Sequence, residues 1–347
     1  MIVMVNDNDS SSSPLPFHII LRPTATQRQR HEERMCDELD RCKSILLDAL
    51  RGDDEATLVV ETAMTILRHA FTTLTESSTR MTSAATTKTS SIDFATQADL
   101  AIEEDAIATI RSAFPHALFV GEEGSDGIMP SRSEIEAEGA MTWVVDPVDG
   151  TTNYAHGFPF VAVSIAMLRE GVPVFGAVLA PFLARSVYLG WVGVGMAVTG
   201  FDNLITCGDD GPGLVVRTDP GECVFIVGYS YDRSENAISA HQATEAALVG
   251  GPNPCRGIRN VGCAVMAITL VAMGGADAYF LAGLHAWDMA APAVFAAIRG
   301  VHISGLDGSP FDLWARHVLV ASNPELASTL ISSAIVLPSP LPPPDLV

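Results

Sequence analysis

Positive charge is scarce in this chain. Of 347 residues only 20 are Lys or Arg, against 41 Asp or Glu, and the net charge is −21. Nucleic acid and anionic membrane surfaces are held by basic faces, so neither is expected as a partner. A phosphorylated small molecule stays open, provided that cations bridge the two sets of negative charge. Cysteine is also sparse: six residues, with no CxxC pair. Free thiols in a reducing compartment are the simpler reading, and a cytoplasmic protein is expected. Long apolar runs are missing. The most apolar stretch, residues 172–200, is cut by Pro173, Pro181 and Arg185 into strand lengths, so no membrane span is expected. No Lys or Arg precedes Arg22, which makes the N-terminus a poor signal peptide. GxSxG, HExxH and P-loop patterns are absent, and the glycines of residues 190–200 read as hairpin turns rather than a dinucleotide fingerprint.

What is present is a globular composition, 48% hydrophobic and 18% charged, enough for one large domain or two tightly joined ones. Residues 1–28 are rich in Ser, Asn, Asp, Pro and Thr and read as mostly disordered. Met35, Leu39, Cys42, Leu46 and Ala49 are spaced 4, 3, 4, 3, an apolar stripe on a helix that Leu50 widens at its end. It leaves open a short coiled coil or a contribution to a dimer interface. A second helix is expected over 56–76, with Leu58, Ala63, Ile66, Leu67, Ala70, Phe71 and Leu74 on or near one face. Residues 77–91 read as a Ser/Thr-rich loop or ragged hairpin. A helix over 98–114 is apolar at Leu100, Ile102, Ile107 and Ile110. "ALFVGEEG" (117–124) is a buried strand opening onto two glutamates, "EIEAEGA" (134–140) an acidic surface segment, and "TWVVD" (142–146) a second buried strand. Consecutive antiparallel strands follow over 160–189. Then come a strand at "ECVFIVGYS", helices over 234–248 and 261–273, a further strand, and an apolar helix in "HAWDMAAPAVFAAIRG". Helices alternate with sheet segments, so the class is mixed α and β. The expected division is 1–55 as an N-terminal extension, 56–200 as an α+β half with the acidic motifs, 201–335 as an α/β half, and 336–347 as a Pro-rich tail.

The acidic residues stand out by position. Glu122 and Glu123 end one buried strand, Asp146 and Asp149 end another, Asp288 begins an apolar helix, and Asp99 opens the helix after "DFATQ". Carboxylates at strand ends and helix starts can converge at a sheet edge, where they need protons or cations between them. Hard oxygen ligands suit Mg²⁺, which also bridges to phosphate. An Asp at a helix start is more often an N-cap, which alone would account for Asp99 and Asp288. "GEEG" taken alone fits an exposed turn. "DPVDGTTN" (146–153) is more detailed than a turn requires.

"GEEG", "WVVDPVDGTTNYAHGFPFVAVSIAM" and "GIRNVGCAVMAITLVAMGGADAYFLAGLHAWDMAAP" resemble, in order and spacing, the signature segments of the inositol monophosphatase family. "SPFDLWARHVLVASN" resembles its C-terminal strand segment. The resemblance covers roughly residues 56–331 and implies a layered αβαβα sandwich, a homodimer, and Mg²⁺-dependent, Li⁺-sensitive hydrolysis of a phosphate monoester with two or three ions. It implies Glu122, Asp146, the Val148 carbonyl, Asp149 and Asp288 as metal ligands. Thr151, helped by Glu122 or Asp99, would orient and deprotonate the attacking water. Asp149, Gly150, Thr151, Gly262, Cys263, Ala264 and Asp288 would bind substrate, with Lys88 near the site. There are departures. Leu281 stands seven residues before Asp288, where inositol-binding members usually carry a glutamate; Cys263 replaces a small hydroxyl residue, and Gly124 a common serine. Inositol monophosphate is the first expected substrate. Another sugar phosphate, a nucleotide 3′-phosphate, or a non-catalytic scaffold are the alternatives.

Overall fold

A computed structural model describes residues 25–77, 86–87, 94–95, 97–124, 129–184, 186–206, 215–230 and 232–332. Lys88, the Pro-rich tail and most of the first 28 residues lie outside the described residues.

Helix α1 (Ala25–Ala49) is amphipathic, and its stripe Met35, Leu39, Cys42 and Leu46 is buried. Leu50 is buried at the end of the stripe, whereas Ala49 is exposed. The helix packs on α2 (Asp54–Ser77) and on the strands Val187–Trp191 and Gly195–Val198. The apolar stripe is therefore used within the chain rather than as an intermolecular coiled-coil seam. Asp53 starts α2 by accepting the Ala56 amide at 2.8 Å. Leu58, expected on the buried face of α2, is exposed. A ribbon of β1 (Thr86–Thr87) and β2 (Phe94–Ala95) precedes α3 (Gln97–Ala113). Helix α3 buries Ile102, Ala106, Ile107 and Ile110 together with Asp99 and Glu103. Leu100, one of the four apolar residues read on this helix, is exposed.

The first sheet is built from β3 (Leu118–Gly121), β4 (Met141–Asp149), β5 (Ala162–Arg169), β6 (Val172–Leu179), β7 (Val187–Trp191) and β8 (Gly195–Val198), in that order. Strands β3 and β4 are parallel and the remaining pairs antiparallel. Between β3 and β4, where an acidic surface segment is expected, a short helix α4 (Arg132–Ile135) forms on a Ser131–Glu134 capping box and buries Ile135. Helix α5 (Thr151–His156) follows β4 directly.

The second sheet has the order β10-β9-β11-β13-β12. Its elements are β9 (Val224–Val227), α6 (Glu235–Gly250), β10 (Gly257–Arg259), α7 (Ala264–Ala272), β11 (Ala278–Ala282), α8 (Ala286–Arg299), β12 (His302–Ser304), β13 (His317–Ala321) and α9 (Pro324–Ser332). Helix α7 begins three residues later than the pattern predicts, because Gly262 has φ +64° and Cys263 is extended.

Strand alternation sorts the side chains into three cores. Trp143 and Val145 face α1, α2 and α3, whereas Val144 faces α7 and α8. Ile226, Tyr279 and Val320 of the second sheet close the other side of α7 and α8, and Phe225, Phe280 and Leu319 face Leu248 of α6 and Leu326 of α9. The layers run helix, sheet, helix, sheet, helix, which is the αβαβα sandwich. Among the described residues no helix is long and apolar enough to cross a membrane.

Candidate active site

Parallel pairing of β3 with β4 brings both acidic segments to one edge. Gly121 pairs with Val145, so Glu122 leaves β3 beside Asp146. In a regular strand, Asp146 and Asp149 would point to opposite faces, being an odd number of residues apart. The ladder to β5 breaks between them. Asp146 opposes Ser164 and Asp149 opposes Ala162, three residues against two. The extra residue is a β-bulge, and it returns both aspartates to one side. Asp146 Oδ1 accepts the Val148 amide at 3.0 Å, closing a local turn around Pro147. Gly150 ends the turn with φ +87°, and a Cβ there would sit 2.7 Å from the Phe160 carbonyl oxygen.

The neighbouring layer completes the cluster. Asp288 is the third residue of α8, and its Oδ2 accepts the His285 amide at 2.6 Å. The N-cap itself is His285, so Asp288 is the N3 acid of a capping box rather than the N-cap expected of it, and it joins the acidic cluster as well. One carboxylate oxygen each from Asp146, Asp149 and Asp288 lie within 4.8 Å of one another. Asp149 Oδ2 accepts the Cys263 thiol at 2.9 Å and the Val265 amide at 2.6 Å, at the N-terminus of α7. Asn153 ties the halves together, its Nδ2 donating to the carbonyls of Phe160 (2.7 Å) and Val261 (2.8 Å).

Asp99 is fully buried on α3, and its Oδ1 lies 3.4 Å from the Thr151 hydroxyl. That hydroxyl also reaches the Val148 carbonyl at 3.0 Å. The expected site residues within the described part line one cleft of about 760 Å³, with Asp99 behind Thr151. Leu281 lies in the same lining as Asp288.

Burial holds the Asp146 carboxyl well above the usual carboxylate range, and the charges of Glu122, Asp149 and Asp288 push it further. Asp288 is raised by burial and then by Asp149. Asp149 is pushed up to about 6 by burial, an effect limited by its bonds from Cys263, Val265 and Ala264. Burial, then the neighbouring Asp149, drives the Cys263 thiol up. Clustered carboxylates with little water are costly to ionise without a cation. Their all-oxygen donor set fits a hard divalent ion such as Mg²⁺.

Sequence reasoning passed over Tyr279 and Glu103. Tyr279 lies in the cleft lining two residues before Leu281 on β11, a placement that strand alternation carries. Glu103 is fully buried one helical turn after Asp99, and its Oε2 accepts the Glu123 amide at 2.8 Å. The available signal was an acid on the apolar face of α3.

The pattern of the inositol monophosphatase family matches residues 54–335. Inositol monophosphatase 1 of Rattus norvegicus is 32% identical over 251 residues, covering 71% of this chain and 83% of the relative. Among solved structures, the extragenic suppressor protein suhB from Bartonella henselae superposes with a TM-score of 0.64 at 22% identity, covering 80% of this chain and 99% of that one. An inositol monophosphatase from Anabaena gives 0.61 at 23% identity, covering 80% and 95%. These two structures speak for the fold alone. The family pattern and the curated relatives define a phosphoric monoester hydrolase. More narrowly, the chain belongs to the inositol monophosphatase family.

Proposed function

We propose that this enzyme hydrolyses a small phosphate monoester with Mg²⁺, and that inositol monophosphate is its first candidate substrate. The convergence of Asp146, Asp149 and Asp288 within 4.8 Å carries the reading. These carboxylates, with Glu122 and the Val148 carbonyl, would hold two or three ions. Bound Mg²⁺ would neutralise the carboxylates and the phosphate, acidify the attacking water and offset charge on the leaving oxygen.

The chain's own groups position the reaction. The Thr151 hydroxyl would direct its single proton at Asp99 or the Val148 carbonyl, which leaves its oxygen to accept a hydrogen bond from the attacking water. The amides of Gly150 and Thr151, with Gly262, Cys263 and Ala264 across the cleft, would hold the phosphate, so that the water is aligned opposite the leaving oxygen. A homodimer in the cytoplasm and inhibition by Li⁺ belong to the same reading. The test is phosphate release from inositol 1-phosphate with and without Mg²⁺. Absence of Mg²⁺-dependent release from every small phosphoester tried would refute it.

One observation favours a second reading of the substrate. Leu281 lies in the cleft lining, and a leucine offers no acceptor to a hydroxyl-rich alcohol. A related small phosphoester with fewer hydroxyls is the alternative.

A further inference from the structure

Two buried acids of α3, Asp99 and Glu103, stand one turn apart on one face of the helix, both with no solvent exposure. Each reaches a different acidic segment. Asp99 meets Thr151, just past the β4 aspartates, and Glu103 meets the backbone of the turn that carries Glu122. Gly121, immediately before that turn, has been cleared for this contact. A Cβ at Gly121 would lie 2.4 Å from Glu103 Oε2. Glu122, the next residue, lines the cleft together with Asp146, Asp149 and Asp288.

We infer that Glu103 is a positioning residue for the cation site: by anchoring the Glu123 amide it fixes where Glu122 points, and α3 acts as a spacer between the two acidic segments. Glu103 does not line the cleft, so it acts through Glu122 and not on the substrate. An acceptor buried this deeply, bonded to a backbone donor, is directional and hard to replace by water. Outer groups that orient metal ligands typically carry about 10- to 100-fold in metal affinity.

The inference rests on the proposed cation site, and the test separates the two. Mg²⁺ binding to the full chain is titrated by calorimetry, alongside thermal melting and steady-state kinetics. Glu103→Asp keeps the charge but withdraws the carboxylate from the Glu123 amide, and should weaken Mg²⁺ binding by about 10-fold. Glu103→Gln keeps both reach and acceptor and should stay within about twofold of the parent, since its amide oxygen can take the same bond. Gly121→Ala crowds the same contact from the other side and should match Glu103→Asp. In both weakened variants the Mg²⁺ requirement for turnover rises while KM at saturating Mg²⁺ holds. A purely structural role would lower the melting temperature and leave the Mg²⁺ titration unchanged, and that result overturns the inference. A parent protein that binds no Mg²⁺ removes the cation site itself, and this inference with it.

Discussion

The Cys263 thiol donates to an Asp149 carboxylate oxygen at 2.9 Å, linking the end of β4 to the start of α7. A sulfur therefore fills a donor's place at the acidic cluster. Serine offers a stronger donor of similar size, so Cys263→Ser should keep turnover, whereas Cys263→Ala removes the bond and should lower kcat/KM by about fivefold, the equivalent of about 1 kcal/mol. Steady-state phosphate release checks both.

Asp149 and Asp288 face each other across the layers with raised carboxyl pKa values. Asp149→Asn or Asp288→Asn should cut turnover by at least about 100-fold, the scale of losing an electrostatic partner at a reacting centre. The metal-free variants should melt about 2 °C or more above the metal-free parent, because a buried like-charge contact has been removed. Added Mg²⁺ should raise the melting temperature of the parent and not of the variants. Melts in EDTA and in Mg²⁺ decide this.

Thr151 offers one proton to two acceptors, Asp99 and the Val148 carbonyl. Thr151→Val should lose about 100-fold or more in kcat with little change in KM, and Thr151→Ser should retain most activity. A KM rise without a kcat fall in Thr151→Val would contradict the water-orienting role.

Leu281 removes an acceptor from the alcohol side of the cleft. Leu281→Glu should shift the ratio of kcat/KM for inositol 1-phosphate over a less hydroxylated phosphoester by about 10-fold or more towards inositol 1-phosphate. Leu281→Ala, which adds no acceptor, should leave that ratio unchanged. A substrate panel on the three proteins measures it.

Leu39 is fully buried between α1 and the first sheet's helical face. Leu39→Ala should cost about 2–5 kcal/mol in urea unfolding. Deleting α1 should expose the apolar side of β7 and β8 and cause aggregation, read by light scattering.

The sequence carried much of the site because its chemistry is local. Asp146, Pro147, Asp149 and Gly150 fall in one turn, and an acidic turn after a buried strand is visible without a partner. The bulge that makes the two aspartates co-facial was not visible, since it is a property of pairing with β5. Glu103 was missed for the same reason: its acceptor role exists only once α3 lies against the end of β3. Leu58 and Leu100 carried the apolar signal of a helix face but fall outside the stripe that packs, a difference only the neighbouring layer decides. Strands as short as β10 and β12 leave almost no alternation to detect.

Gly150 joins a left-handed backbone to a gap too small for any Cβ beside the Phe160 carbonyl. The turn is consequently frozen in composition as well as in shape. Every substitution there collides and strains at once, and no rotamer offers an escape because the clash begins at the first side-chain atom. A library randomised at this codon and sorted for turnover would return a single letter, while the neighbouring Thr152, whose side chain is exposed, would tolerate many.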